Sequence, residues 1–307
     1  MPTVSIIICT YNPNPVIFAH CLSALEKAAA LDRPEEILII DNNSEKAVQS
    51  MEAVQRFATL FPFLKVIIEK EQGLTPARLR GIKEANSDLL IFVDDDNYIR
   101  EDFIKNARSI GGNFPLIGSF SGQVVIQSDK TPPEWTRKYW GMLVHRVFTG
   151  NHWSNLYFNN ETMPCGAGLC VRKEVASYYV NLHQQGKRRQ QLDRSKGSLL
   201  SGGDNDLAMC AIDVNLGMGI FEDLYVDHFI PASRFTLDYL AKLAYGIYYS
   251  YVILKFMRTG QIEEQSSVRK FVNQVRKLSS NKYDKKIQSA VDRGIMDAAR
   301  FLKSKTN

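Results

Sequence analysis

Asp94-Asp95-Asp96 follows directly on the apolar run Leu89-Leu90-Ile91-Phe92-Val93 and precedes Asn97. An apolar run of that length, preceded by Asn86-Ser87-Asp88, predicts a buried parallel strand. Three carboxylates therefore emerge together where the strand ends. Such neighbours cannot all stay ionised side by side without a compensating cation. Hard oxygen ligands in this arrangement suit Mg2+ or Mn2+, particularly an ion that also holds phosphates. A solvated acidic loop before the next helix is the competing reading, and the surrounding elements must decide.

Those elements repeat one pattern. Val4-Ser5-Ile6-Ile7-Ile8-Cys9 predicts a strand that ends in Thr10-Tyr11-Asn12-Pro13-Asn14-Pro15, with a helix from about Pro15 to Ala30. Glu36-Ile37-Leu38-Ile39-Ile40 predicts another, closed by Asp41-Asn42-Asn43-Ser44. A helix, a strand over Leu64 to Ile68 and a helix opened by Thr75-Pro76 come before Leu89. Apolar strands alternating with helices imply a mostly parallel sheet covered on both faces. In such sheets ligands bind outside the carboxyl ends of the strands. Tyr11, Asp41 and Asp94 to Asp96 all fall on that one rim, which an ordinary surface loop does not predict.

Composition fits a globular enzyme: 307 residues, 45% hydrophobic and 23% charged. A net charge of +5 and a pI near 8.8 mildly favour anionic partners such as nucleotides or lipid headgroups. No nucleic-acid-binding motif is present. Five scattered cysteines without a CxxC pair read as buried reduced thiols. Val4 to Cys9 is too short for a signal-peptide core and runs at once into Tyr-Asn-Pro, so a cytoplasmic location is expected.

Four segments in order, VSIIICTYN, IIDNNS, GLTPARLRGIKEANSDLLIFVDDDN and GGDNDL, resemble the inverting family 2 glycosyltransferases of GT-A fold. The resemblance runs from about Val4 to Arg234. It implies a GT-A catalytic domain over 1–235, with a nucleotide-binding half (1–110) and an acceptor-binding half (111–235), and a helical C-terminal extension over 236–307. The implied reaction moves a sugar from a nucleotide-sugar donor, expected to be a UDP-sugar, to a hydroxyl on a glycan or lipid-linked acceptor.

The site residues follow from the resemblance one by one. Thr10, Tyr11 and Asn12 would line the base pocket, with Tyr11 stacking on the base or packing on the sheet edge. Asp41 would accept a hydrogen bond from uracil N3–H, or serve the turn as a cap. Arg78 matches an arginine that approaches the nucleotide, while Arg80 is left as a surface charge. Asp96 is expected to bind Mn2+ or Mg2+ directly, and Asp94 and Asp95 to hold ribose hydroxyls or metal-bound water, with Asp94 a second candidate ligand. His228 would complete the metal shell, contact a phosphate or act as a structural hydrogen-bonder, and Arg234 would pair with phosphate oxygens. The small residues around Gly166 allow close approach to the sugar, and Trp153 belongs to an aromatic stretch that offers acceptor contacts or ordinary packing.

Asp204, in Ser201-Gly202-Gly203-Asp204-Asn205-Asp206-Leu207, aligns with the general base that an inverting displacement needs. Gly203 stands where that family usually has Glu. Helix capping by Asp204 and Asp206 is the alternative. Gly186 to Gly202 is expected to be a mobile loop. Leu237 to Met257 reads as a helix packed under the catalytic domain or lying on a membrane surface, too charged for a secure span. The basic tail, with Lys270, Arg276, Lys277, Lys282, Lys285 and Lys286, is a solvated helix face or a peripheral contact with the inner face of the membrane. A nucleotidyltransferase and a binding scaffold without turnover are the alternatives. The first usually carries a Gly-rich phosphate loop that this chain lacks at its first strand, and the second has the absent Glu in its favour.

Overall fold

The computed structural model describes residues 1–185, 200–262 and 281–306. The loop expected at Gly186 to Gly202 falls mostly outside them, as do Lys270, Arg276 and Lys277. The described residues form two compact units. The first comprises 1–127, 144–185 and 204–230; the second comprises 128–143, 200–203, 231–262 and 281–306.

The first unit is built on one sheet: β1 (Val4–Thr10), β2 (Glu36–Asp41), β3 (Leu64–Ile68), β4 (Leu89–Asp94), β5 (Asn97–Ile99), β6 (Ile117–Gln127), β7 (His152–Ser154), β8 (Leu169–Arg172) and β9 (Gly217–Phe229). The strand order is β3-β2-β1-β4-β8-β6-β9-β5, with β7 beside β9. From β3 to β4 every pairing is parallel, as the alternating pattern predicts. Beyond β4 the sheet is mixed: β8 is antiparallel to β4 and β6, whereas β6 and β9 are parallel.

The β1 side chains alternate between two cores. Val4, Ile6 and Ile8 join Phe18, Leu22 and Leu25 of α1 (Pro15–Leu31), Phe57 of α2 (Glu52–Leu60) and Phe103 of α4 (Phe103–Asn113). Ile7 and Cys9 join Ala77 and Ile82 of α3 (Leu74–Glu84), Tyr179 of α5 (Lys173–Gln184) and Leu207 of α6 (Gly203–Asp213). This two-sided burial explains why the strands read as continuous apolar runs.

Local signals set the helix starts. Asn14 caps α1 by accepting from the N–H groups of Val16 and Ile17, and Pro15 occupies the first helical position. At α3 the expectation fails. The cap is Gly73, at φ 139° and without a side-chain bond, so Thr75 and Pro76 already lie inside the first turn.

The second unit contains a 3-10 segment (Glu134–Leu143), a short turn (Ala232–Phe235), α7 (Leu237–Thr259) and α8 (Lys282–Thr306). Trp135 stacks on Tyr283, with ring centroids 4.2 Å apart. Asp284 receives Lys138 Nζ at 2.5 Å and the Tyr139 hydroxyl. Among the described residues no helix is long and apolar enough to cross a membrane.

Candidate active site

Strand register gathers the rim. Thr10 lies opposite Asp41, and Cys9 lies opposite Asp94. Three neighbouring parallel strands, each about 4.8 Å from the next, thus deliver Thr10, Asp41 and the aspartates to one edge. The Thr10 hydroxyl donates to Asp95 Oδ2. Beneath the edge, the Cys21 thiol of α1 donates to the Asp94 carbonyl at 3.5 Å. Burial, followed by the charges of Asp95, Asp96 and Asp94, pushes that thiol well above its ordinary range and keeps it neutral.

Bonds between backbone N–H groups and side-chain oxygens stitch the first two strand-end loops together. Asn12, at φ 47°, donates its N–H to Ser44 Oγ at 2.9 Å and accepts from Glu45 N–H at 2.9 Å. Asp41 is 2% exposed, and its two oxygens accept from Ser44 N–H at 2.9 Å and Val48 N–H at 3.1 Å. It therefore performs the turn role that its sequence context offered. Tyr11 projects from this scaffold and is half-exposed. Arg78 is buried on α3. Arg80 pairs with Glu84 at 2.9 Å on the surface of that helix.

Asp96 meets His228 across the antiparallel pairing of β5 with β9. Asn97 lies opposite His228, Phe229 N–H donates to the Asp96 carbonyl at 2.9 Å, and His228 Nε2 stands 3.5 Å from Asp96 Oδ1. Such a separation suits two ligands each about 2.1 Å from one ion. Among the described residues His228 Nδ1 is buried without a hydrogen-bond partner. Among the described residues no three His, Cys, Asp or Glu side chains gather into a closed metal cage. One carboxylate and one imidazole fit an ion that takes its remaining ligands from phosphates and water.

Asn97 adds a contact to the strand-end aspartates. It is fully buried at the start of β5 and donates Nδ2–H to Asp96 Oδ1 at 2.9 Å, the oxygen that faces His228. Burial also raises the Tyr98 phenol to about 12, with Cys21 and Asp96 adding to it.

The acceptor-side residues reach the same rim through β8. Because β8 runs antiparallel to β4, its first residue Leu169 pairs with Phe92, so the loop leading into β8 lies at the aspartate end. In that loop Gly166 N–H donates to Asp204 Oδ2 at 2.9 Å. Asp204 occupies the first turn of α6, which Ser119 Oγ ties to β6 through the Ala208 carbonyl at 2.8 Å. A Cβ on Gly166 would stand 2.9 Å from Asp204 Oδ2, so the close approach needs glycine. Asp206, by contrast, is buried.

One predicted residue stands apart. Trp153 is exposed on β7 opposite Gly219, nine residues along β9 from His228 and towards the other end of the strand. Arg234 lies in the short turn of the second unit.

A mixed sheet with a parallel half, flanked by helices and followed by C-terminal helices, has the architecture of the GT-A fold. Structural likeness agrees. The chain is similar to TarS 1–349 of S. aureus (TM-score 0.53, 15% identity, 97% of this chain and 81% of that one). It is also similar to GalNAc-T7 with UDP, GalNAc and Mn2+ (TM-score 0.56, 13% identity, 90% and 55%). The family model described as Glycosyl transferase family 2 matches residues 5–175, and the chain belongs to that family. It is similar to glycosyltransferase AglE of Haloferax volcanii, 34% identical over 121 residues that make up 38% of this chain and 39% of AglE. With the cholesterol galactosyltransferase of Borreliella burgdorferi it shares 28% identity over 102 residues, 33% of this chain and 27% of that protein. The matched part thus spans well under half the length of these curated relatives.

Proposed function

We propose that this chain transfers a sugar from a nucleoside diphosphate sugar to a hydroxyl of a glycan or lipid-linked acceptor, with inversion at the anomeric carbon. The observation that carries the reading is the shared rim: the Asp96–His228 pair joins the turn between β4 and β5 to the end of β9, and the Asp204–Gly166 contact stands at the same end of the sheet. Membership of Glycosyl transferase family 2 supports it.

Tyr11 stacks on the base, and the loop that Asp41 braces forms the floor of the base pocket. A pyrimidine N3–H donating to Asp41 would use lone pairs beyond those already given to Ser44 and Val48. UDP-sugars are the first donors to test, since TarS has been solved with UDP-GlcNAc. Asp94 and Asp95 serve the ribose, and Arg78 approaches the diphosphate. Asp96 and His228 would hold Mn2+ or Mg2+, which when bound would offset charge on the leaving nucleoside diphosphate. Asp204 keeps Oδ2 on the Gly166 N–H and receives the acceptor hydroxyl's proton on its other oxygen. The sugar's C1 then bonds to the acceptor oxygen as its bond to the diphosphate breaks, on the opposite face.

The test is turnover of a nucleotide-sugar panel, with the anomeric configuration of the product read by NMR. Inverted product from wild type, and nucleotide binding without transfer in Asp204→Asn, are expected. Retained configuration would contradict the single displacement. Binding without turnover for every donor and acceptor would favour the scaffold reading, for which the Gly203 position argues.

A further inference from the structure

Helix α8 sorts its charges by face. Lys282, Lys285, Lys286, Arg293, Arg300 and Lys303 are all exposed, whereas Asp284, Asp292 and Asp297 are half-buried. Each aspartate has a hydrogen-bonded neighbour: Asp284 has Lys138 and Tyr139, Asp292 accepts from Gln288 Nε2 at 3.0 Å, and Asp297 accepts from the Tyr245 hydroxyl at 3.2 Å. At about 100° per residue, the six cations fall within a single arc of about 100°. Met296, 48% exposed, lies in the same arc. From Lys282 to Lys303 the stripe runs about 30 Å at 1.5 Å per residue. Two of the six also meet carboxylates, Lys286 with Asp238 and Arg300 with Asp297 at 3.3 Å. The face as a whole stays cationic.

We infer that this face of α8 docks on an anionic lipid bilayer. A straight cationic stripe lies flat on a charged plane, and each Lys or Arg near such a surface adds to the attraction. Met296 supplies an apolar side chain at the level of the cations, suited to the boundary between headgroups and acyl chains. A nucleic acid would be met by the cations alone, but no aromatic side chain stands in the arc to stack on a base. The inference does not depend on the donor-site reading, because it concerns binding without turnover.

The test is co-sedimentation of the full chain with phosphatidylcholine vesicles, with and without about 30 mol% phosphatidylglycerol. Binding to the anionic vesicles at about 0.1 M salt, and its loss at about 0.5 M, is expected. The triple variant Lys285→Glu, Arg293→Glu, Lys303→Glu should bind at least roughly 100-fold more weakly. Its thermal melt and nucleotide binding should match wild type, since none of the three belongs to the rim. Met296→Ser should weaken binding by a smaller factor. Equal binding to neutral vesicles, undiminished binding by the triple variant, or displacement from vesicles by duplex DNA of equal charge concentration would each overturn the inference.

Discussion

At the scale of single residues, Asn97 makes the sharpest claim. It donates to the Asp96 oxygen that faces His228 and is itself fully buried, so it orients the Asp96 carboxylate. Asn97→Ala is expected to raise the Mn2+ concentration needed for half-maximal activity by about 10- to 100-fold. A metal titration of activity, with kcat at saturating metal measured separately, checks this; an unchanged midpoint would leave Asn97 a packing residue. The positions of Asp94 to Asp96 at a strand end and of Asp204 at a helix start were legible, because an apolar run and a helix-opening turn are local patterns. The sequence could not announce Asn97, whose role exists only because β5 pairs with β9 in a register that places it opposite His228. Asp41 shows the reverse. Asp-Asn-Asn-Ser is rich in turn formers, and both carboxylate oxygens serve the turn.

Elements carry different predictions. α3 packs so closely on β1 that a Cβ at Gly81 would lie 2.5 Å from Ile7 Cγ2. Gly81→Ala should therefore destabilise the fold by about 1–3 kcal/mol despite its better helix propensity, as a denaturant melt would show. In the second unit, hydrogen bonds from Lys138 and Tyr139 hold the Asp284 carboxyl below its ordinary range. A carboxyl with a folded pKa below its unfolded one contributes stability above the unfolded value, and loses it as pH falls through the folded value. Asp284→Asn should lower stability at neutral pH by at most about 1 kcal/mol, since the group is partly solvated. Melts of the two proteins should converge in acid, below the depressed pKa. Neither contact was legible in the sequence: Trp135, near the middle of the chain, stacks on Tyr283 near its C-terminal end, and no local pattern predicts such a pair. The parallel half of the sheet was legible, because burial on both faces leaves unbroken apolar runs. The insertion of β8 between β4 and β6 was not, since it depends on pairing distant segments.

For the whole molecule, the account rests on one rim assembled from both halves of the first unit, with the Asp96–His228 pair as its centre. Nucleotide binding measured calorimetrically, with Mn2+ or with chelator, tests this most directly. Wild-type protein should bind UDP or another nucleoside diphosphate at least about 10-fold more tightly with Mn2+ than with chelator, and Asp96→Ala should lose that difference while keeping its fold. Metal-independent binding, or an Asp96→Ala variant that responds to Mn2+ as wild type does, would contradict the account.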